Sequence, residues 1–224
     1  MSTLRLALGQ AGRAFRSNLP AMAAVLILGT AILSSYALIP AVRQALDAFA
    51  VWKDSLGLWY PVLIFPLVGG LIPALVQGRW PRGRDWCVMF GFWAERGLEI
   101  HFLYLGLGAL VGTGTDIGTI LIKTALDMFV YSAAWALPVY LLVLAWAAGE
   151  APLALVRSSS FWRDRYLPGI LANWILWIPA VLMIYSLPAG LQLPVQNLFL
   201  VIWVLVAALI ARRPGGPHDP LPLW

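Results

Sequence analysis

The stretch GFWAERGLEIHFLYLGLG, Gly91 to Gly108, sets Glu95, Arg96, Glu99 and His101 inside a run that otherwise has the apolar character of a membrane helix. A charge in hydrocarbon costs several kcal/mol unless it is paired, hydrated or neutralised, so such residues face a bundle interior or a water-filled cavity. The stretch therefore predicts a helix that crosses a bilayer and turns a polar face toward other helices.

The rest of the chain has the same character. Of its 224 residues, 61% are hydrophobic and 11% charged, against about 25% charged in an ordinary soluble domain. No segment is polar for long enough to fold outside the bilayer, which predicts an all-α, polytopic membrane protein with a single membrane domain. The net charge of +5 fits positively charged loops on one side of a membrane rather than nucleic-acid binding. Cys87 is the one cysteine, so there is no intrachain disulfide and no statement about redox compartment. Arg5, Arg13 and Arg16 precede an apolar run from Leu19 to Val42 with no cleavage site, as in an uncleaved signal anchor. The arginine-rich, acid-free start also suits a mitochondrial presequence. The bacterial cytoplasmic (inner) membrane is the expected location, with the mitochondrial inner membrane as the alternative.

With about 20 apolar residues needed to cross, six transmembrane helices are expected, at 19–42, 58–78, 86–112, 117–148, 168–187 and 191–211. The N-terminal segment (Arg5, Arg13, Arg16), the second link (Arg79, Arg82, Arg84), the fourth link (Arg157, Arg163, Arg165) and the tail (Arg212, Arg213) then fall on one side. The opposite links hold Arg43 and Lys53 balanced by Asp47 and Asp54, then Asp116 alone, then no charge. This bias puts both termini in the cytoplasm, or in the matrix of a mitochondrion. Residues 151–166 mix Leu, Phe and Trp with Arg as a helix lying in the headgroup plane does. Pro66, Pro73, Pro138, Pro179 and Pro194 predict kinks. Gly91, Gly97, Gly106 and the pair Gly108 and Gly112 predict close helix packing.

Glu95 and Glu99, spaced i,i+4, share one helix face, with Arg96 and His101 pointing elsewhere. Lys123 and Asp127 repeat that spacing in the next span. A short link makes the two spans antiparallel, with Asp127 nearly level with His101 and within reach of it or of Arg96. Three acids and two bases cannot all pair off, so the six residues Glu95, Arg96, Glu99, His101, Lys123 and Asp127 form either an ion-pair layer or the lining of a polar passage. One membrane-depth histidine and one cysteine make no metal cage, and the chain carries no nucleotide-binding or zinc protease motif. Neither enzyme activity nor a cofactor is expected.

The motifs also resemble a family. GLEIHFLYLGL is similar to the G-P-x-x-H-x-W-Y-x-x-L element of the Mpv-seventeen and peroxisomal-membrane-protein-twenty-two family of small membrane proteins, with Gly97, His101, Tyr104 and Leu107 in register. Leu98 and Leu103 replace that element's proline and tryptophan. KTALDM resembles the family's K-x-x-x-D-Q through Lys123 and Asp127, and NWILWIPAV with Pro188, Asn197 and Trp203 resembles its closing signature. The resemblance implies a five-span core over 58–212, with residues 1–57 as a tail, an added span and a link, and 213–224 as a further tail. It also implies a channel for small solutes. From a different class, the alternative is an accessory subunit packing against a larger membrane complex. The expected partners are lipid and either further copies of the chain or that complex.

Overall fold

The computed structural model describes residues 3–211 other than 77, 79, 81, 82 and 148. Gln77, Arg79, Arg82, Arg212, Arg213 and the tail 213–224 lie outside the described residues, as do the side chains of Arg5, Arg13, Arg84 and Trp203.

Every element is helical: α1 Thr3–Leu38, α2 Pro40–Ser55, α3 Trp59–Val76, α4 Arg84–Val111, α5 Ile117–Ala147, α6 Pro152–Val156, α7 Phe161–Tyr185 and α8 Ala189–Ala211. Three of them, α3, α5 and α7, are long and apolar enough to cross a membrane. A fourth crossing results if α1 from Met22 and α2, bent by 106° at Ile39, are taken together. This is fewer than the six expected. The 28-residue α4 has the length, but Glu95, Arg96 and Glu99 interrupt its apolar run, and the described apolar part of α8, Ala189–Ile202, is short.

The bend between α1 and α2 has a local cause. Pro40 disfavours helical geometry at the residue before it, and Ile39 is extended, with φ −113° and ψ 102°. The carbonyls left at the end of α1 are taken up by Arg43, whose Nε donates to Tyr36 O at 3.0 Å and Nη2 to Ala37 O at 2.7 Å. The expected first link is thus mostly helix, with Arg43, Asp47, Lys53 and Asp54 all on α2.

Three turns widen to π-helical i→i+5 bonding, at Pro66–Leu71 in α3, Leu126–Ala136 in α5 and Phe161–Tyr166 at the start of α7. Each ends two residues before a proline, Pro73, Pro138 or Pro168. A proline inside a helix lacks its N–H and its ring collides with the carbonyl four residues back, and a wider turn relieves that collision. In the widened register Pro138 would have donated to Ala133. That carbonyl instead accepts from the Tyr166 hydroxyl at 2.8 Å, while Trp174 Nε1 donates to Met128 O at 2.8 Å. The expected surface helix over 151–166 is replaced by short α6 and the π-helical first turn of α7, tied by Arg165 to Glu150 through two bonds of 2.9 Å.

The core has three parts, all reached by the hairpin of α7 and α8. Ala180, Ile184, Leu187, Leu191, Val195 and Phe199 pack with Val25 of α1. Leu193 and Leu200 join Tyr60 and Phe65 of α3 and Met89 and Trp93 of α4. Val181 and Tyr185 meet Leu107 of α4 and Ile120 and Met128 of α5. Of the glycines expected to pack closely, Gly97 does: a Cβ there would sit 2.5 Å from Pro61 O and 3.0 Å from Phe65. Gly91 and Gly106 face open space, and Gly112, with φ +107°, ends α4 instead of packing against a neighbour. Asp116 Oδ1 then caps α5 by accepting from Thr119 N at 3.0 Å.

Candidate functional site

Along α4 and α5 the contacts run in opposite order: Leu107 with Ile120, Arg96 and Glu99 with Tyr131, Phe92 with Tyr140. The two helices are therefore antiparallel neighbours, as the short link predicts. Their ionisable residues do not form one cluster but divide into separate groups.

In the first group, Arg96 Nη1 lies 2.8 Å from Glu99 Oε2, an i,i+3 pair, while Glu95 Oε2 is 3.8 Å from Nη2. The inward face of α4 thus carries Arg96 and Glu99 together. Glu95, expected inward beside Glu99, points out of the bundle with 56% of its side chain exposed. An i,i+3 pair leans together on an α-helix as readily as an i,i+4 pair, and packing of Gly97 against α3 fixes which one turns inward. Arg96 Nε is buried without a hydrogen-bond partner in the protein, as is Trp93 Nε1 one turn away, while the Tyr131 hydroxyl faces both Arg96 and Glu99 without closing a short hydrogen bond to either.

The second group is centred on Tyr185 of α7. Its hydroxyl donates to Asp127 Oδ2 at 2.8 Å, and Lys123 Nζ lies 5.6 Å from the centre of its ring. All three are almost wholly buried. Asp127 is therefore not paired with His101 or Arg96: Tyr185 of α7 supplies its partner. The Tyr104 ring meets Tyr185 edge-on at 5.5 Å, and the Tyr104 hydroxyl donates to Gln196 Oε1 of α8 at 3.1 Å. A polar chain thus links α5, α7, α4 and α8.

His101 belongs to a third, half-buried region beside Lys53 and Asp54 of α2. Lys53 is itself buried, 2.5 Å from Asp54 Oδ1 and 6.0 Å from the centre of the Tyr60 ring. Asn197 of α8 lies by Tyr60, its amide turned toward the phenol. Tyr131, Tyr185, Gln196 and Asn197 are neutral groups, which a search for charges in apolar runs passes over. The spacing of Gln192, Gln196 and Asn197 is the one sequence feature that marks a polar face on α8.

No group of three or more His, Cys, Asp or Glu among the described residues is arranged to hold a metal ion. The class these features define is an all-helical protein with several apolar helices compatible with a membrane and charged side chains buried among them. No family model, curated protein or solved structure matches the chain.

Proposed function

We propose that this chain is a six-span membrane protein with both termini in the cytoplasm, and that its polar layer lines a conduit for small solutes or ions. The observation that carries this reading is the group of Arg96, Glu99 and Tyr131 where α4 meets α5, in which Arg96 Nε has no hydrogen-bond partner in the protein and the Tyr131 hydroxyl no short one. In hydrocarbon each such atom costs several kcal/mol, a cost removed when water or a polar solute occupies the interior. The motif resemblance to the Mpv-seventeen family supports the same reading, with the bacterial inner membrane as its proposed location.

The test is permeation through vesicles holding the purified, folded chain. Release of small polar solutes above that of empty vesicles is expected, reduced by Tyr131→Phe, while release equal to that of empty vesicles overturns the reading. A second reading, an accessory subunit, is favoured by one observation: the outward-facing carboxylate of Glu95.

A further inference from the structure

Helix α2 divides its surface by chemistry. Val42, Leu46, Ala50 and Lys53 turn inward; Leu46 and Ala50 join the core around Ile184 and Leu191, and a Cβ on Gly190 of α8 would come within 3.0 Å of Ala50. Arg43, Asp47 and Asp54 share a second edge. There Arg43 holds the last carbonyls of α1, Asp47 Oδ1 accepts from the Tyr36 hydroxyl at 2.9 Å, and Asp54 pairs with Lys53. On the opposite edge Ala41, Ala45, Phe49 and Trp52 follow one another at helical spacing, all exposed, with the Phe49 and Trp52 rings 5.5 Å apart. Gln44, Ala48, Val51 and Ser55 lie exposed between the two edges.

The bend of 106° at Ile39 sets α2 nearly perpendicular to α1, so α2 gains no depth along the direction in which α1 crosses. With Arg43, Asp47, Lys53 and Asp54 in its 16 residues, it is also a poor second half for a span. The chain then enters α3, long and apolar enough to cross, at Trp59, which is 69% exposed. Helix α2 thus joins two crossing helices at the level where tryptophan settles in a bilayer. We propose that α2 is an in-plane helix of the membrane–water interface, its Ala41, Ala45, Phe49 and Trp52 edge sunk in lipid and its Arg43, Asp47 and Asp54 edge in water. An amphipathic helix in the headgroup plane buries its apolar side at the boundary with the acyl chains in this way. The lipid it takes needs no particular headgroup charge, because Arg43 and Lys53 balance Asp47 and Asp54 and leave no excess to attract acidic lipid. The proposal rests on α1 and α3 crossing a membrane and is independent of whether the polar layer conducts.

The test places one fluorescent label at a time on the full chain in phosphatidylcholine vesicles, through single cysteines in a Cys87→Ser background, and compares quenching by aqueous iodide with quenching by spin-labelled lipid. Labels at Ala41→Cys and Ala45→Cys should be quenched by the lipid and shielded severalfold from iodide relative to Gln44→Cys and Ser55→Cys. Replacing part of the lipid by phosphatidylglycerol should leave that pattern unchanged. Leu121→Cys, on the exposed side of α5, reports insertion itself: iodide reaching it would overturn the membrane reading and this proposal with it. Iodide reaching Ala41→Cys and Ala45→Cys while Leu121→Cys stays in lipid overturns this proposal alone. So does equal shielding of all four α2 positions, the mark of a broken span, or shielding of Ala41→Cys and Ala45→Cys that disappears as the protein is diluted in lipid, the mark of a second copy covering the edge.

Discussion

Tyr185 of α7 gives its phenolic hydrogen to Asp127 Oδ2 of α5 over 2.8 Å, while Lys123 Nζ stands over the same ring, 5.6 Å from its centre. One neutral side chain thus serves an acid and a base that lie four residues apart on the neighbouring helix. The charges are held through an aromatic intermediary instead of through direct contact. Removing that intermediary should expose how much the arrangement contributes.

Tyr185→Phe keeps the ring beneath Lys123 but leaves the buried Asp127 carboxylate with Ser132 as its remaining side-chain donor, which should cost about 1–3 kcal/mol. In the Asp127→Leu background the same change should cost markedly less, because the acceptor is gone and the two effects are coupled. Melting of the four proteins in one detergent measures this. Equal, additive losses would show that the hydroxyl does not act on Asp127.

Tyr166→Phe should destabilise for a different reason: it leaves Ala133 O without the donor that stands in for the missing N–H of Pro138. Pro138→Ala restores a backbone donor near that carbonyl, so Tyr166→Phe should be milder in that background. The expected loss with Pro138 present is about 1–3 kcal/mol, the cost of an unsatisfied buried group. A loss unaffected by position 138 would remove the link between the proline and the tyrosine.

Gly97 and Gly91 lie six positions apart on α4 and should respond oppositely to substitution. Gly97→Ala places a Cβ 2.5 Å from the backbone oxygen of Pro61, overpacking that typically costs about 1–3 kcal/mol. Gly91→Ala enters open space and should raise stability slightly through helix propensity. Thermal melts of the two variants suffice, and a tolerant Gly97 would mean that α3 and α4 separate more easily than their contact implies.

Acid should weaken two ties outside the spans. The Thr119 side chain and amide hold the Asp116 carboxyl below its usual range, and hydrogen bonds from Arg165 do the same for Glu150. Each group binds its proton more weakly folded than unfolded. Its contribution is therefore complete above the ordinary carboxylate range and is lost as pH falls through the lower, folded-state value. Melting temperature followed from neutral pH to about pH 3 should fall less steeply in Asp116→Asn, which keeps a capping oxygen but does not titrate. An identical acid slope would exclude Asp116 as a contributor.

The helical class and the α4–α5 hairpin are legible in the chain because apolar length, Gly112 and Asp116 are local features. The orientation of Glu95 is not legible, since i,i+3 and i,i+4 neighbours are equally plausible until the packing of Gly97 on Pro61 selects one rotation. The partner of Asp127 is hidden for a related reason: Tyr185 is 58 residues away and uncharged, so no local spacing points to it. The widened turns are foreshadowed by proline, but a sequence marks only the expected kink and not the i→i+5 bonding that relieves it.

The conduit reading is tested most directly by the reversal potential of the purified chain in planar bilayers under a salt gradient, compared with Glu99→Gln. A measurable conductance is expected from the wild type. The substitution removes the nearer of the two carboxylates beside Arg96, so the reversal potential should move toward anion selectivity, as the charge lining a narrow path dictates. Absence of conductance from well-folded protein at every voltage and pH tried would contradict a passage through this layer and leave Arg96, Glu99 and Tyr131 as a structural group.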